Sequence, residues 1–133
     1  MKAWGLLGAA IVVVASALVT VGAQGAQPYS GNGDYQVYCS SCHGTEARGD
    51  GAIAKSLKKR PADLTQLTKR NDGVYPADKV FSIIDGRKGV SHSDSDMPAW
   101  GDVFAKASES AGAENTAARI DTLVKYLQTL QAK

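Results

Sequence analysis

Cys39-Ser40-Ser41-Cys42-His43 is the stretch that decides how the rest of the chain is read. A Cys-x-x-Cys-His run is the attachment signature of c-type haem. Two thiols separated by two residues reach the two vinyl groups of one porphyrin and form thioether bonds. The histidine that follows is then held beneath the ring, where one imidazole nitrogen can ligate iron. Two other uses of such a run fit poorly. A structural zinc site needs about four protein ligands, and beyond this stretch His92 is the only further Cys or His. A thioredoxin-like redox pair calls for a βαβ context, and no parallel-strand pattern surrounds it.

The chain has 133 residues, which implies one domain. Lys2 precedes an apolar run from Ala3 to Ala23 diluted by Gly5, Gly8, Ser16 and Thr20. A short basic start, an apolar stretch and small residues at its end read as a secretory signal over residues 1–23. Cleavage is expected after Val21-Gly22-Ala23, leaving Gln24 first and a domain over 24–133. The run also has about the 20 residues a membrane span needs, so an uncleaved anchor is the alternative. Without Lys2, 14 basic side chains face 13 acidic ones, too balanced to imply nucleic acid as a partner. The only cysteines are Cys39 and Cys42, so no structural disulfide is expected in the exported domain.

Ser30 or Asn32 is placed to cap a first helix that runs through Tyr35, Val37 and Tyr38 into the haem signature. Gly31, Tyr35 and Cys39 stand four apart and share one face of it. Gly44 to Gly51 is turn-rich, Ala52 to Leu57 is expected to hold a short helical turn, and Lys55, Lys58, Lys59 and Arg60 form a basic cluster. Such a cluster is either a solvated face or a docking patch. Pro61 to Thr65 reads as a loop, followed by irregular chain through Gly73. Pro76 suits a first helical residue. Val80, Phe81, Ile83 and Ile84 then make an apolar stripe that Gly86 stops. Arg87 to Asp96 is polar loop, and it ends in Met97-Pro98-Ala99-Trp100-Gly101. Met97 is the only methionine after the initiator; a Ser/Asp-rich loop ahead of a proline is poor context for core filling and good context for presenting a side chain to a metal. Val103 to Gly112 carries no clear pattern. Asn115 or Thr116 is expected to cap a last helix whose apolar face is Ile120, Leu123, Val124, Leu127 and Leu130. Three helices dominate, with no convincing strand pair and no internal repeat.

These features together resemble the class I cytochrome c family over about Gly31 to Leu130. The resemblance implies an all-α cytochrome c fold, three main helices with long loops around one covalently bound haem c. It implies that Gly31 and Tyr35 on the first helix cross Leu123 and Tyr126 on the last, the missing side chain at Gly31 letting the backbones approach. It implies a proline-bearing loop whose backbone carbonyl accepts a hydrogen bond from the ligand histidine, with Pro61 as the candidate. Met97 matches the family's sixth ligand, 54 residues beyond His43. His92 is its competitor, five residues upstream in the same loop. Arg60, Arg87 and Trp100 are candidates to hydrogen-bond the haem propionates, although each also reads as a surface or packing residue.

The expected function is therefore electron transfer by a periplasmic, or otherwise exported, monomer, with a protein donor and a protein acceptor. A haem subunit of a larger, membrane-associated oxidoreductase complex would carry the same chemistry. A haem enzyme or gas-binding sensor would need an open iron position, against which Met97 argues. No catalytic carboxylate pair or nucleophile triad stands in the sequence.

Overall fold

A computed structural model of the chain describes residues 30–87, 96–107 and 114–133; the candidate leader and His92 lie outside them. The described residues are helical, with no strand among them.

The first helix, α1, is built in three successive pieces: an α turn over Gly31–Asp34, a π-helical segment over Tyr35–Cys39, and a closing α turn over Ser40–His43. Ser30 caps it, its Oγ accepting the Gly33 N–H at 3.2 Å. The last four carbonyls of any helix lack partners within it, and here each finds one in the chain that follows. Gly44 donates to Ser40 at 2.8 Å, Ile53 to Ser41 at 3.1 Å, Gly51 to Cys42 at 3.1 Å and Gly49 to His43 at 2.8 Å. A side chain at Gly51 would run into the backbone of Ser41 and Cys42, so this folding-back needs glycine there. The loop after the Cys-x-x-Cys-His run is thereby fastened to the helix that carries it.

Helix α2 spans Ala77–Asp85, α3 Trp100–Ala107 and α4 Glu114–Thr129. Pro76 sits at the cap of α2 rather than at its first helical position, and Gly86 ends it in the left-handed conformation. The irregular stretch before α2 contains single 3-10 turns at Leu64–Gln66 and Lys69–Asn71, and another lies at Ala54–Ser56. Helix α4 begins at Glu114, so Asn115 and Thr116 lie in its first turn rather than ahead of it.

Helix α4 packs against all three others. Tyr35, Phe104 and Ile120 are fully buried, and Leu123, Val124, Leu127, Val80 and Ile84 complete the core. Each such side chain contributes about 1.5–3 kcal/mol on leaving water. Where α1 crosses α4, a Cβ on Gly31 would overlap the Thr122 carbonyl and press on Tyr126, and the Tyr35 and Tyr126 rings meet at 5.5 Å. The expected glycine–aromatic crossing is present. Helix α3 is an addition to the three helices read from the sequence. Its fully buried Phe104 and half-buried Trp100 stand four apart, a helical spacing inside a stretch otherwise short of apolar signal.

Candidate functional site

A cavity of about 320 Å³ lies between these elements, with an overwhelmingly apolar wall. Helix α1 contributes Tyr35, Tyr38, Cys39, Cys42 and His43 to it; the loop after Leu57 contributes Arg60, Pro61 and Ala62; α2 and α4 contribute Val80, Ile84, Leu123 and Leu127. Asp96, Met97, Pro98 and Trp100 also line it, with Leu64 and Leu67 among the remaining apolar residues. The chain thus brings Cys39, Cys42, His43, Met97, Pro61, Arg60 and Trp100 to one cavity.

His43 occupies the end of α1, and its Nδ1 stands 3.0 Å from the Ala62 carbonyl oxygen. A carbonyl only accepts, so Nδ1 carries the proton and Nε2 keeps its lone pair. The accepting carbonyl is that of Ala62, one residue beyond the expected Pro61, which itself lines the cavity. Burial holds the His43 pKa below its ordinary 6.5, a fall only partly offset by the bond to Ala62. The ring is thus kept neutral, with one nitrogen fixed and the other available for donation.

Cys39 and Cys42 are half-buried and not joined to each other. Burial, with smaller contributions from Asp34 and Cys42, pushes the Cys39 thiol up to about 12. Tyr35 reinforces the local geometry by donating its hydroxyl to the Gly44 carbonyl at 2.7 Å, just past His43. Its own pKa is raised, chiefly by burial.

Met97 is half-buried and packs against the core. Its neighbour Asp96 accepts the backbone N–H of Lys58 at 2.6 Å, which ties the Met97 segment to the loop carrying Arg60, Pro61 and Ala62. Trp100 packs on Phe104 with ring centroids 5.9 Å apart and meets the Tyr38 edge at 5.5 Å. Arg87 departs from the expected arrangement. Its guanidinium pairs with the buried Asp85 at 2.7 Å, and it is not among the residues lining the cavity. The Arg60 side chain, by contrast, is exposed at the cavity's margin.

Sequence reasoning missed the Asp34–Arg119 pair. Arg119 Nε and Nη2 donate to the two Asp34 oxygens at 2.8 and 2.6 Å, with both residues buried. The guanidinium also lies over the Phe104 ring at 4.2 Å and the Tyr38 ring at 5.0 Å. The partners are 85 residues apart, and nothing local in either segment marks them.

The donor set suits a flat apolar macrocycle with iron at its centre. It offers two thiols on adjacent turns, a neutral imidazole with one nitrogen available, and a thioether on the wall of the same apolar cavity. Among the described residues no group of three or more His, Cys, Asp or Glu is gathered to hold a bare metal ion. Neither the curated proteins nor the solved structures gave a match. A model of the family described as "Cytochrome C oxidase, cbb3-type, subunit III" matches residues 26–127, most of the chain and all four helices but the last two residues of α4. The chain therefore belongs to that family, as a class I c-type cytochrome domain of all-α fold whose covalent haem c serves electron transfer.

Proposed function

We propose that this chain is an exported one-electron carrier in which Cys39 and Cys42 hold the haem by thioether bonds and His43 and Met97 are the axial ligands of its iron. The observation that carries the reading is the His43 Nδ1 to Ala62 carbonyl contact of 3.0 Å on the wall of a cavity that Met97 also lines. The bound haem supplies the reversible one-electron step. The protein's contribution is positional. Ala62 fixes the imidazole ring and makes Nε2 a better donor, and the restriction that Pro98 places on Met97 stiffens the segment that must present the thioether. Leu64, Leu67, Val80, Ile84, Leu123 and Leu127 exclude water from the cavity. A thioether opposite the imidazole favours the reduced state relative to a second histidine.

The family match supports a more particular setting, service as a haem-bearing subunit of a membrane-bound oxidase, receiving electrons from one protein and passing them to another. Residues 1–23 fit either role, as a removed leader or as an anchor. Among the described residues no helix is long and apolar enough to cross a membrane.

Intact mass and haem-stained denaturing gels test the reading. The protein from cells that export it should weigh as residues 24–133, or the whole chain if anchored, plus one haem that survives denaturation. Cys39→Ala and Cys42→Ala should each lose a thioether, and the double variant should release its haem. A wild-type chain whose haem leaves on denaturation contradicts the reading.

A further inference from the structure

The buried Asp34–Arg119 pair has no part in electron carriage as proposed, yet it lies directly behind the cavity wall: neither residue lines the cavity, but Arg119 packs on Tyr38, which does. Asp34 stands five residues before Cys39 on α1. In a regular α-helix, residues five apart point about 140° away from each other. The intervening segment is instead π-helical, and the Ser40 N–H bonds the Tyr35 carbonyl five residues back. A π turn, whose bonds join positions five apart, narrows that angle well below the α-helical value, so Asp34 and Cys39 come closer to a common face. After burial, the Asp34 carboxylate is the next cause that holds the Cys39 thiol pKa up. Arg119 supplies the opposite charge, packed on the rings of Tyr38 and Phe104. Tyr38 lines the cavity itself, and Phe104 stacks on Trp100, which also lines it.

Stability alone does not explain charge at this place. Desolvating two ions offsets most of their attraction, and apolar residues of similar volume commonly serve as well. An ion pair differs from an apolar pair in placing fixed charge beside whatever fills the cavity, where a low dielectric carries the field further than water would.

We propose that Asp34 and Arg119 are opposed positioning charges that set the haem reduction potential, the carboxylate favouring the oxidised iron and the guanidinium the reduced. The inference rests on the haem being attached at Cys39 and Cys42. On reduction the iron gains one electron from the donor protein, and the site's charge falls by one. A buried anion nearby opposes that change and a buried cation assists it. In the paired state each offsets the other, so the potential is held between the values that either charge alone would give.

Potentiometric titration of purified haem-loaded variants tests this. Asp34→Asn leaves the arginine, which stays charged at any working pH, and should raise the potential. Arg119→Gln should lower it. Each shift should be of the order of tenfold in the reduction equilibrium, which is about 59 mV for one electron. The double variant should lie between the two singles. Arg119→Lys keeps the charge while losing the two-pronged contact, and should hold the potential near wild type even with a lowered melting temperature. Shifts of the same sign in Asp34→Asn and Arg119→Gln, or an Arg119→Lys potential that follows Arg119→Gln, would show a packing role and overturn the proposal. If Asp34→Asn does not accumulate folded, the comparison of Arg119→Gln with Arg119→Lys decides alone. Haem staining of the wild type separates the outcomes: a stain-negative wild type defeats the attachment itself, whereas stain-positive variants with the wrong shifts defeat only the charge argument.

Discussion

Asp96 Oδ2 accepts the backbone N–H of Lys58 at 2.6 Å, joining two cavity-lining segments that are 38 residues apart in the chain. Asp96 immediately precedes Met97, so the contact holds the methionine segment against the loop that bonds His43. Asp96→Ala should release it. A hydrogen bond to a charged acceptor at an exposed position contributes about 1 kcal/mol, a factor of about five in the ratio of closed to open loop. Added imidazole should therefore bind the ferric variant several-fold more readily than wild type, with covalent haem retained. Equal binding by both would show that the contact does not restrain Met97.

The crossing of α1 and α4 gives a second expectation. A Cβ at Gly31 overlaps the Thr122 carbonyl, which is backbone and cannot swing aside. Gly31→Ala should cost about 1–3 kcal/mol, the usual range for overpacking, although alanine is the better helix former. Gly33 is the control on the same turn, since a Cβ there meets only the Ser30 side chain at 3.5 Å or more. Urea unfolding of the two variants should rank Gly31→Ala well below Gly33→Ala.

Acid should weaken the fold in two steps. His43 is held below its ordinary 6.5 by burial. Under mildly acidic conditions the unfolded chain therefore binds a proton that the folded chain refuses, and stability falls as pH drops below about 6.5. Iron held at Nε2, as proposed, would act in the same direction. Asp63 is held below 3.8, first by its bond with the Thr65 side chain. Its contribution is present above that value and is lost as pH falls through the depressed one. Urea midpoints measured from pH 7.5 downward should decline in the first window for both wild type and Asp63→Asn. Only the variant should lack the Asp63 share of the second decline. A flat midpoint between pH 6.5 and 5 would contradict the His43 assignment.

Much of this arrangement was legible in the sequence because it is local. The Cys39-to-His43 run, the Ser30 cap, the Gly86 stop and the four-residue spacings of Gly31, Tyr35, Leu123 and Leu127 are all fixed within a turn or two of helix. The features that escaped depend on distant partners or on weak periodicity. Helix α3 shows only Trp100, the exposed Val103 and Phe104 against a background of Ala, Gly and charged residues. The Asp34–Arg119 pair needs the α1–α4 crossing to exist before its two ends meet. Arg87 reads from sequence as a candidate propionate partner or a surface residue, and only the fold shows Asp85 beside it. The π segment at Tyr35–Cys39 has no composition of its own by which the sequence could mark it.

Lys55, Lys58 and Lys59 are exposed in the segment next to the cavity-lining loop. The chain as a whole carries a formal charge of only +2. A local basic patch of this kind steers an acidic partner, and the steering weakens as the Debye length shrinks from about 30 Å at 0.01 M salt to about 10 Å at 0.1 M. Electron-transfer rates with the physiological partner should fall across that range, and charge reversal at Lys58 and Lys59 should flatten the dependence. Rates indifferent to salt would reduce the patch to a solvated face.

The central claim is that Met97 faces His43 across one covalent haem, and the near-infrared spectrum of the ferric protein tests it most directly. Wild type and His92→Ala should both be low-spin with a weak sulfur-to-iron band. Met97→Ala should lose that band and bind added ligands at the opened position, at a lower reduction potential. A band that survives in Met97→Ala would contradict the account, and a wild-type spectrum that lacks the band and changes on replacing His92 would make the second ligand a histidine.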